Sequence, residues 1–136
     1  MRPEAAIVNV YSPGDTLALH CDVSENSDKG LVSISLGCDG IFIVGLEGEP
    51  NGGPQCLAIR LRSGDGVYMS GATRHAFHGL PQIIPSTCPD WLDAWPAPLN
   101  LPEAEGDNRV TSRKYEAWRG WLASKRINLN VRQMEV

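Results

Sequence analysis

Apolar and polar residues alternate along most of this chain with the period of short β-strands. Ala6-Ile7-Val8-Asn9-Val10-Tyr11 predicts a first strand, closed by Ser12-Pro13-Gly14-Asp15, a turn with proline and glycine placed as turn chemistry requires. Thr16 to His20 predicts a second strand. A polar loop from Ser24 to Gly30 precedes a third over Leu31 to Gly37, and Cys38-Asp39-Gly40 turns the chain into Ile41-Phe42-Ile43-Val44, an apolar run of the kind buried on both faces. Residues 46 to 55 read as a glycine- and proline-rich hairpin loop. Leu57, Ile59 and Leu61 then share one face of a strand, Ser63-Gly64-Asp65-Gly66 turns into Val67-Tyr68-Met69, and Arg74 to Gly79 predicts one more strand. Short strands between glycine turns indicate a mainly β fold, an antiparallel sandwich or jelly roll.

From Pro81 the alternation stops. Prolines at 81, 85, 89, 96, 98 and 102 mark residues 81 to 108 as an insertion or lid-like loop, with Trp91, Leu92 and Trp95 available to pin it to the core. Thr111 is a candidate helix N-cap, and Tyr115, Trp118 and Leu122 at helical spacing predict an amphipathic helix from about Ser112 to Lys125. The last segment, Arg126 to Gln133, alternates throughout. Ile127, Leu129 and Val131 make an apolar face, and Arg126, Asn128, Asn130 and Arg132 share the opposite one. Two placements of that polar face are open. Turned to solvent, the arginines only aid solubility; turned into a jelly roll, two guanidinium groups need anions. A small dicarboxylate would satisfy both, because each guanidinium holds a carboxylate through two parallel hydrogen bonds.

Composition narrows this picture without changing it. At 136 residues the chain is expected to be a single domain, and 14 glycines with 10 prolines favour turns and strands over a helical bundle. No run approaches the length of a membrane span, and Met1-Arg2-Pro3-Glu4 lacks the apolar stretch of a secretory signal. The expectation is a soluble, intracellular protein with no membrane partner; nucleus, cytoplasm and mitochondrion are not distinguished. Cys21, Cys38, Cys56 and Cys88 form no Cys-x-x-Cys pair, so they are expected as free thiols. A net charge of −4 argues against wide, non-specific nucleic-acid binding. Yet Arg109, Arg113, Lys114, Arg119, Lys125 and Arg126 cluster with only Glu116 as counter-charge, either as a solvated helix face or as a phosphate-facing patch.

The chemistry begins at His20-Cys21-Asp22. His20 and Asp22 leave one strand end on the same side, and one further histidine would complete the two-histidine, one-carboxylate face that holds non-haem iron(II). His75 and His78 are three apart and face opposite ways on a strand, so one alone can join them. His78 is chosen because Gly79 allows close approach, leaving His75 outward or hydrogen-bonded. An iron(II) oxygenase needs a two-electron reductant, and a 2-oxo dicarboxylate would also meet the two arginines.

At this point the chain resembles the AlkB-type iron(II) and 2-oxoglutarate-dependent dioxygenases, and within them the AlkB homologue one branch. The resemblance lies in Asn9 to Asp15, His20 to Glu25, Gly30 to Asp39, the His78 segment with Pro81, and Arg126 to Gln133, in this order and spacing. It implies a double-stranded β-helix (jelly roll), iron(II) bound by His20, Asp22 and His78, and 2-oxoglutarate with its distal carboxylate on Arg126. It also implies Asn9, Tyr11 and Asn128 around that cosubstrate and Arg132 by the carboxylate nearer the metal. The reaction implied consumes O2 and 2-oxoglutarate, hydroxylates a methyl group on a nucleobase nitrogen in DNA or tRNA, and releases formaldehyde, a chemistry of DNA repair and tRNA modification. The basic helix would then lie near the phosphate backbone. The family carries further sheet strands and a substrate lid ahead of the Asn-x-Tyr strand; the chain begins almost at that strand, so the resemblance implies an N-terminally truncated domain. Where the bacterial prototype has an acidic residue two positions after the metal-binding aspartate, this chain has Ser24, so base preference does not transfer. Two alternatives stand beside demethylation: a dioxygenase of proteins or small molecules, and a metal-binding fragment without activity.

Overall fold

The computed structural model describes residues 1–23, 25–46, 55–96 and 115–135. Its strands are β1 (Ala5–Tyr11), β2 (Leu17–His20), β3 (Leu31–Gly37), β4 (Gly40–Leu46), β5 (Gln55–Leu61), β6 (Gly66–Met69), β7 (Phe77–Ile83) and β8 (Arg126–Arg132). They form two four-stranded sheets, ordered β1-β8-β3-β6 and β2-β7-β4-β5, with every pairing antiparallel. The chain changes sheet at almost every connection, which is the winding of the expected jelly roll. Two buried clusters lie in the fold, Tyr11, Cys38, Leu80 and Ile83 in one and Leu31, Met69 and Ala76 in the other, and Phe42 packs against both.

Register decides which way β8 faces. Its inward rows are Tyr11–Arg126–Gly37, Asn9–Asn128–Ser35 and Ile7–Asn130–Ser33. The rows between them, Val10–Ile127–Leu36, Val8–Leu129–Ile34 and Ala6–Val131–Val32, form the opposite face of the sheet, where Val8 and Val10 are exposed. β8 therefore turns its polar side chains into the sandwich and its apolar ones to the opposite face. Arg126 and Arg132 are buried, so the arginine face takes the interior placement.

Several expectations require correction. The strand expected over Arg74 to Gly79 begins only at Phe77, because Gly71–Thr73 form a 3-10 turn and Arg74 keeps a helical backbone. It then runs through Pro81 to Ile83, past the point where the alternation of the sequence stops. Ile41 pairs with Gln82 and Ile43 with Gly79, so Phe42 opposes both Leu80 and Pro81; this bulge tolerates a residue without an N–H. Ile41 to Val44 are half-buried, not buried on both faces. Within the proline-rich stretch, Asp90–Asp93 form a short helix, α1. Trp91 and Trp95 are exposed, and Trp95 meets Trp121, centroids 6.5 Å apart, instead of the core.

The amphipathic helix is replaced over its described part by two 3-10 turns, Glu116–Trp118 and Leu122–Ser124. Gly120 between them has φ +79°, a left-handed conformation that interrupts a right-handed helix. Thr111, Ser112, the hairpin loop at 47–54 and all of the proline-rich stretch beyond Pro96 lie outside the described residues. The described members of the basic cluster do not share one face either. Arg119 pairs with Glu116 at 2.8 Å, Lys125 donates to Ser12 Oγ at 2.7 Å and Arg126 is interior, while Arg109, Arg113 and Lys114 lie outside the described residues. All four cysteines are free thiols. Among the described residues no helix is long and apolar enough to cross a membrane.

Candidate active site

β2 and β7 pair so that His20 stands directly opposite His78, and their rings lie 4.4 Å apart. Gly79 makes this approach fit, since a Cβ there would sit 2.9 Å from the Leu17 carbonyl oxygen and 3.2 Å from the Leu19 nitrogen. Each imidazole donates Nδ1–H to a carbonyl two residues earlier, His20 to Ala18 at 2.9 Å and His78 to Ala76 at 3.0 Å. A carbonyl oxygen only accepts, so Nδ1 is protonated in both rings, and in the neutral imidazole the lone pair lies on Nε2, the nitrogen that faces Asp22. Asp22, just past β2, closes the triangle: Oδ1 lies 3.7 Å from His20 Nε2 and Oδ2 lies 3.7 Å from His78 Nε2. One donor atom from each residue lies within 4.8 Å of the other two. Two neutral imidazole nitrogens and one carboxylate form the donor set suited to a divalent iron with open positions. His75 is exposed in the turn that precedes β7 and does not join the triangle.

Behind this triangle runs a cavity of about 210 Å³, lined by Asn9, Ser33, Asn128 and Arg126 among others, a size for one small molecule. Arg126 closes its far end and is 1% exposed. Its Nη2 donates to Ser35 Oγ at 2.7 Å and its Nη1 to the Cys38 and Leu61 carbonyls at 3.1 and 3.3 Å, all neutral acceptors. Its Nε makes no hydrogen bond among the described residues. Burial pulls the guanidinium below its ordinary pKa, and the charge of Asp39 opposes this from a distance, since Asp39 is itself paired with Arg60 at 2.7 Å. A buried cation held by neutral groups, with one N–H unsatisfied, fits a site for an anionic ligand. Gly40 keeps the space: a Cβ there would lie 3.0 Å from Arg126 Nε.

The other expected residues divide between cavity and core. Asn9 and Asn128 face each other across β1 and β8, and Asn128 Nδ2 donates to Ser33 Oγ at 2.6 Å. Tyr11 pairs with Arg126 in register but is buried with Cys38, Leu80 and Ile83; burial raises its hydroxyl pKa, and the Arg126 charge partly offsets the rise. Arg132 lies at the metal-ligand end, 3.4 Å from Asp22 Oδ2, and pairs with Glu25. Sequence reasoning missed two residues of this site, Glu25 and Arg74. Glu25 ends the His20 to Glu25 stretch that carries the resemblance, three residues after Asp22, whereas the only sequence signal of Arg74 is its position four before His78.

Comparison with known proteins agrees with this geometry. The family description "2OG-Fe(II) oxygenase superfamily" matches residues 1–132. The N6-methyladenosine RNA demethylase ALKBH of Cryphonectria parasitica is 47% identical over 140 residues, covering 96% of this chain and 57% of that protein. The tRNA demethylase abh1 of Schizosaccharomyces pombe is 42% identical over 134 residues, covering 98% of this chain and 37% of that protein. The solved structure of OsALKBH1 superposes with a TM-score of 0.66 at 26% identity, over 98% of this chain and 49% of that one. The chain thus spans between about a third and somewhat over half of these relatives. With a His-Asp-His triangle at the mouth of an arginine-ended jelly-roll cavity, the chain belongs to the 2OG-Fe(II) oxygenase superfamily, in its AlkB-type group.

Proposed function

We propose that this chain is the catalytic core of an oxidative demethylase of N-methylated nucleobases, with methylated adenine in RNA or DNA as the substrate class. The observation that carries the reading is the convergence of His20 Nε2, His78 Nε2 and the Asp22 carboxylate within 4.8 Å, on a cavity that ends in buried Arg126. The substrate class rests on the relatives, named as N6-methyladenosine RNA and tRNA demethylases.

His20, Asp22 and His78 hold the iron in this reading, and the Nδ1–H bonds to Ala18 and Ala76 fix the tautomer that leaves both Nε2 atoms free to bind. Arg126 takes the distal carboxylate of 2-oxoglutarate, with Asn9 and Asn128 on the cavity wall beside it. Bound iron(II), 2-oxoglutarate and O2 supply the oxidant that hydroxylates a methyl carbon. The share of the protein is placement. A charged floor orients the dicarboxylate, and Phe42, 5.8 Å from the His78 ring, with Leu31, Met69 and Leu80 gives the cavity an apolar wall. A hydroxymethyl group on a base nitrogen then breaks down to formaldehyde and the free N–H.

Formaldehyde release is the test, measured with iron(II), ascorbate and 2-oxoglutarate on RNA and DNA oligonucleotides carrying N6-methyladenine, with unmethylated oligonucleotides and a methylated peptide as comparisons. Release dependent on the methylated oligonucleotide supports the reading; equal release from peptide, or none from any nucleic acid, refutes it. The partial span of the relatives favours one second reading, a chain that binds metal and 2-oxoglutarate without demethylating. Chelate formation with no formaldehyde would identify it.

A further inference from the structure

The metal-ligating carboxylate of Asp22 sits on a segment without helix or strand in its described residues, between the end of β2 and the start of β3. Arg74 reaches this segment from the turn that leads into the His78 strand, and spends its guanidinium on it. Its Nε donates to the Lys29 carbonyl at 2.9 Å, its Nη1 to the Asp22 carbonyl at 3.0 Å and its Nη2 to Glu25 Oε2 at 2.8 Å. Glu25 accepts from Arg132 Nη1 through its other oxygen, and Arg132 Nη2 stands 3.4 Å from Asp22 Oδ2. Asp22 is thereby gripped twice, by Arg74 at its main chain and by Arg132 at its carboxylate, and Glu25 joins the two grips. The Glu25 side chain is fully buried and the two arginine side chains nearly so.

We infer that Arg74 and Glu25 are positioning residues of the metal centre, acting through Arg132 and the Asp22 main chain to aim the Asp22 carboxylate at the two Nε2 atoms. Buried ion pairs lose in desolvation much of what they gain by attraction, so their use here is geometric. A carboxylate on an irregular segment has no strand neighbour to fix its rotamer; the arginine-glutamate-arginine chain supplies that constraint. It also ties the Asp22 segment to the strand that carries His78, so that all three ligands move as one body. The inference rests on reading His20, Asp22 and His78 as the metal ligands.

The test uses the whole chain under anaerobic conditions and cobalt(II) as an optical stand-in for iron, titrated with and without 2-oxoglutarate. Glu25→Gln keeps size and acceptor capacity on one side; Arg74→Lys keeps charge and loses the three-pronged reach; Arg119→Gln breaks an exposed pair as the control. Glu25→Gln and Arg74→Lys are expected to weaken cobalt affinity about 10- to 100-fold, the usual effect of removing a hydrogen-bond partner behind metal ligands, and to change the ligand-field spectrum. Arg119→Gln is expected to match the wild type within about twofold, as exposed pairs contribute little. Wild-type affinity and spectrum in both buried variants, with only the melting temperature lowered, would overturn the inference and leave a purely structural network. So would failure of both to fold while Arg119→Gln folds. A wild-type chain that takes up no cobalt overturns the metal-centre reading itself, and is told apart because no variant is then needed.

Discussion

Replacing Arg126 with methionine removes the charge at the cavity floor and keeps an unbranched chain of similar length. The guanidinium is 1% exposed, so a bound carboxylate would meet it free of solvent screening. Breaking a buried charge pair on one side costs about 3 kcal/mol, equivalent to about 150-fold in the dissociation constant. At 2-oxoglutarate equal to 100 times the wild-type constant, with manganese(II) as a redox-silent metal, ligand linkage stabilises the wild type by about 2.7 kcal/mol. For a domain of this size that is a rise in Tm of about 10 °C. A 150-fold weaker variant keeps about 0.3 kcal/mol at the same concentration, a shift of about 1 °C. Differential scanning fluorimetry with and without 2-oxoglutarate reads both numbers, and manganese alone should shift both chains equally. A cofactor-induced shift in Arg126→Met within a degree or two of the wild type would refute the assignment of Arg126 to the dicarboxylate.

Three further predictions concern the metal end and the fold around it. Gly79→Ala forces a Cβ to 2.9 Å from the Leu17 carbonyl oxygen, inside contact distance, and should destabilise the chain by about 1–3 kcal/mol in urea unfolding while weakening metal binding by spreading β2 from β7. Asp22→Ala should abolish metal uptake, and His75→Ala, on an exposed side chain, should leave it unchanged by isothermal titration. Burial pushes the Glu25 carboxyl pKa up, but the hydrogen bond from Arg74 and the charge of Arg132 outweigh it and hold the group below its ordinary value. Its depressed pKa contributes stability in full above the unfolded value, about 4.3, and loses it as the pH falls below, so the wild type should lose Tm faster than Glu25→Gln between pH 5 and 3, by roughly the span of carboxylate titration. Parallel acid curves for the two chains would refute it.

Much of the site was legible because its parts are local. His20 and Asp22 are two residues apart on a strand end, and Gly79 beside His78 announces a close approach that the β2–β7 pairing uses. The helix expected over 112–125 was less legible: aromatic spacing suggested it, and a single left-handed Gly120 was enough to break the described part into 3-10 turns. Pro81 misled for a related reason, since proline ends most strands but is accommodated where a bulge removes the need for its N–H. Glu25 and Arg74 stayed hidden because their roles exist only across the fold: nothing near Arg74 in sequence shows that it bonds Asp22, Glu25 and Lys29.

By itself the sequence determined the strand pattern apart from the bounds of β7, the His-x-Asp pair, the histidine that joins it, and the division of Arg126 to Arg132 into a polar and an apolar side. It did not determine which side faces in, because a period of two defines two faces and is unchanged when they are exchanged. Pairing settled that. β8 lies between β1 and β3, and the register aligns its arginine and asparagine positions with Asn9, Ser33 and Ser35 toward the cavity. Burial then gives Arg126 neutral partners and one unsatisfied N–H, and that demand for an anion exists only in the folded sandwich.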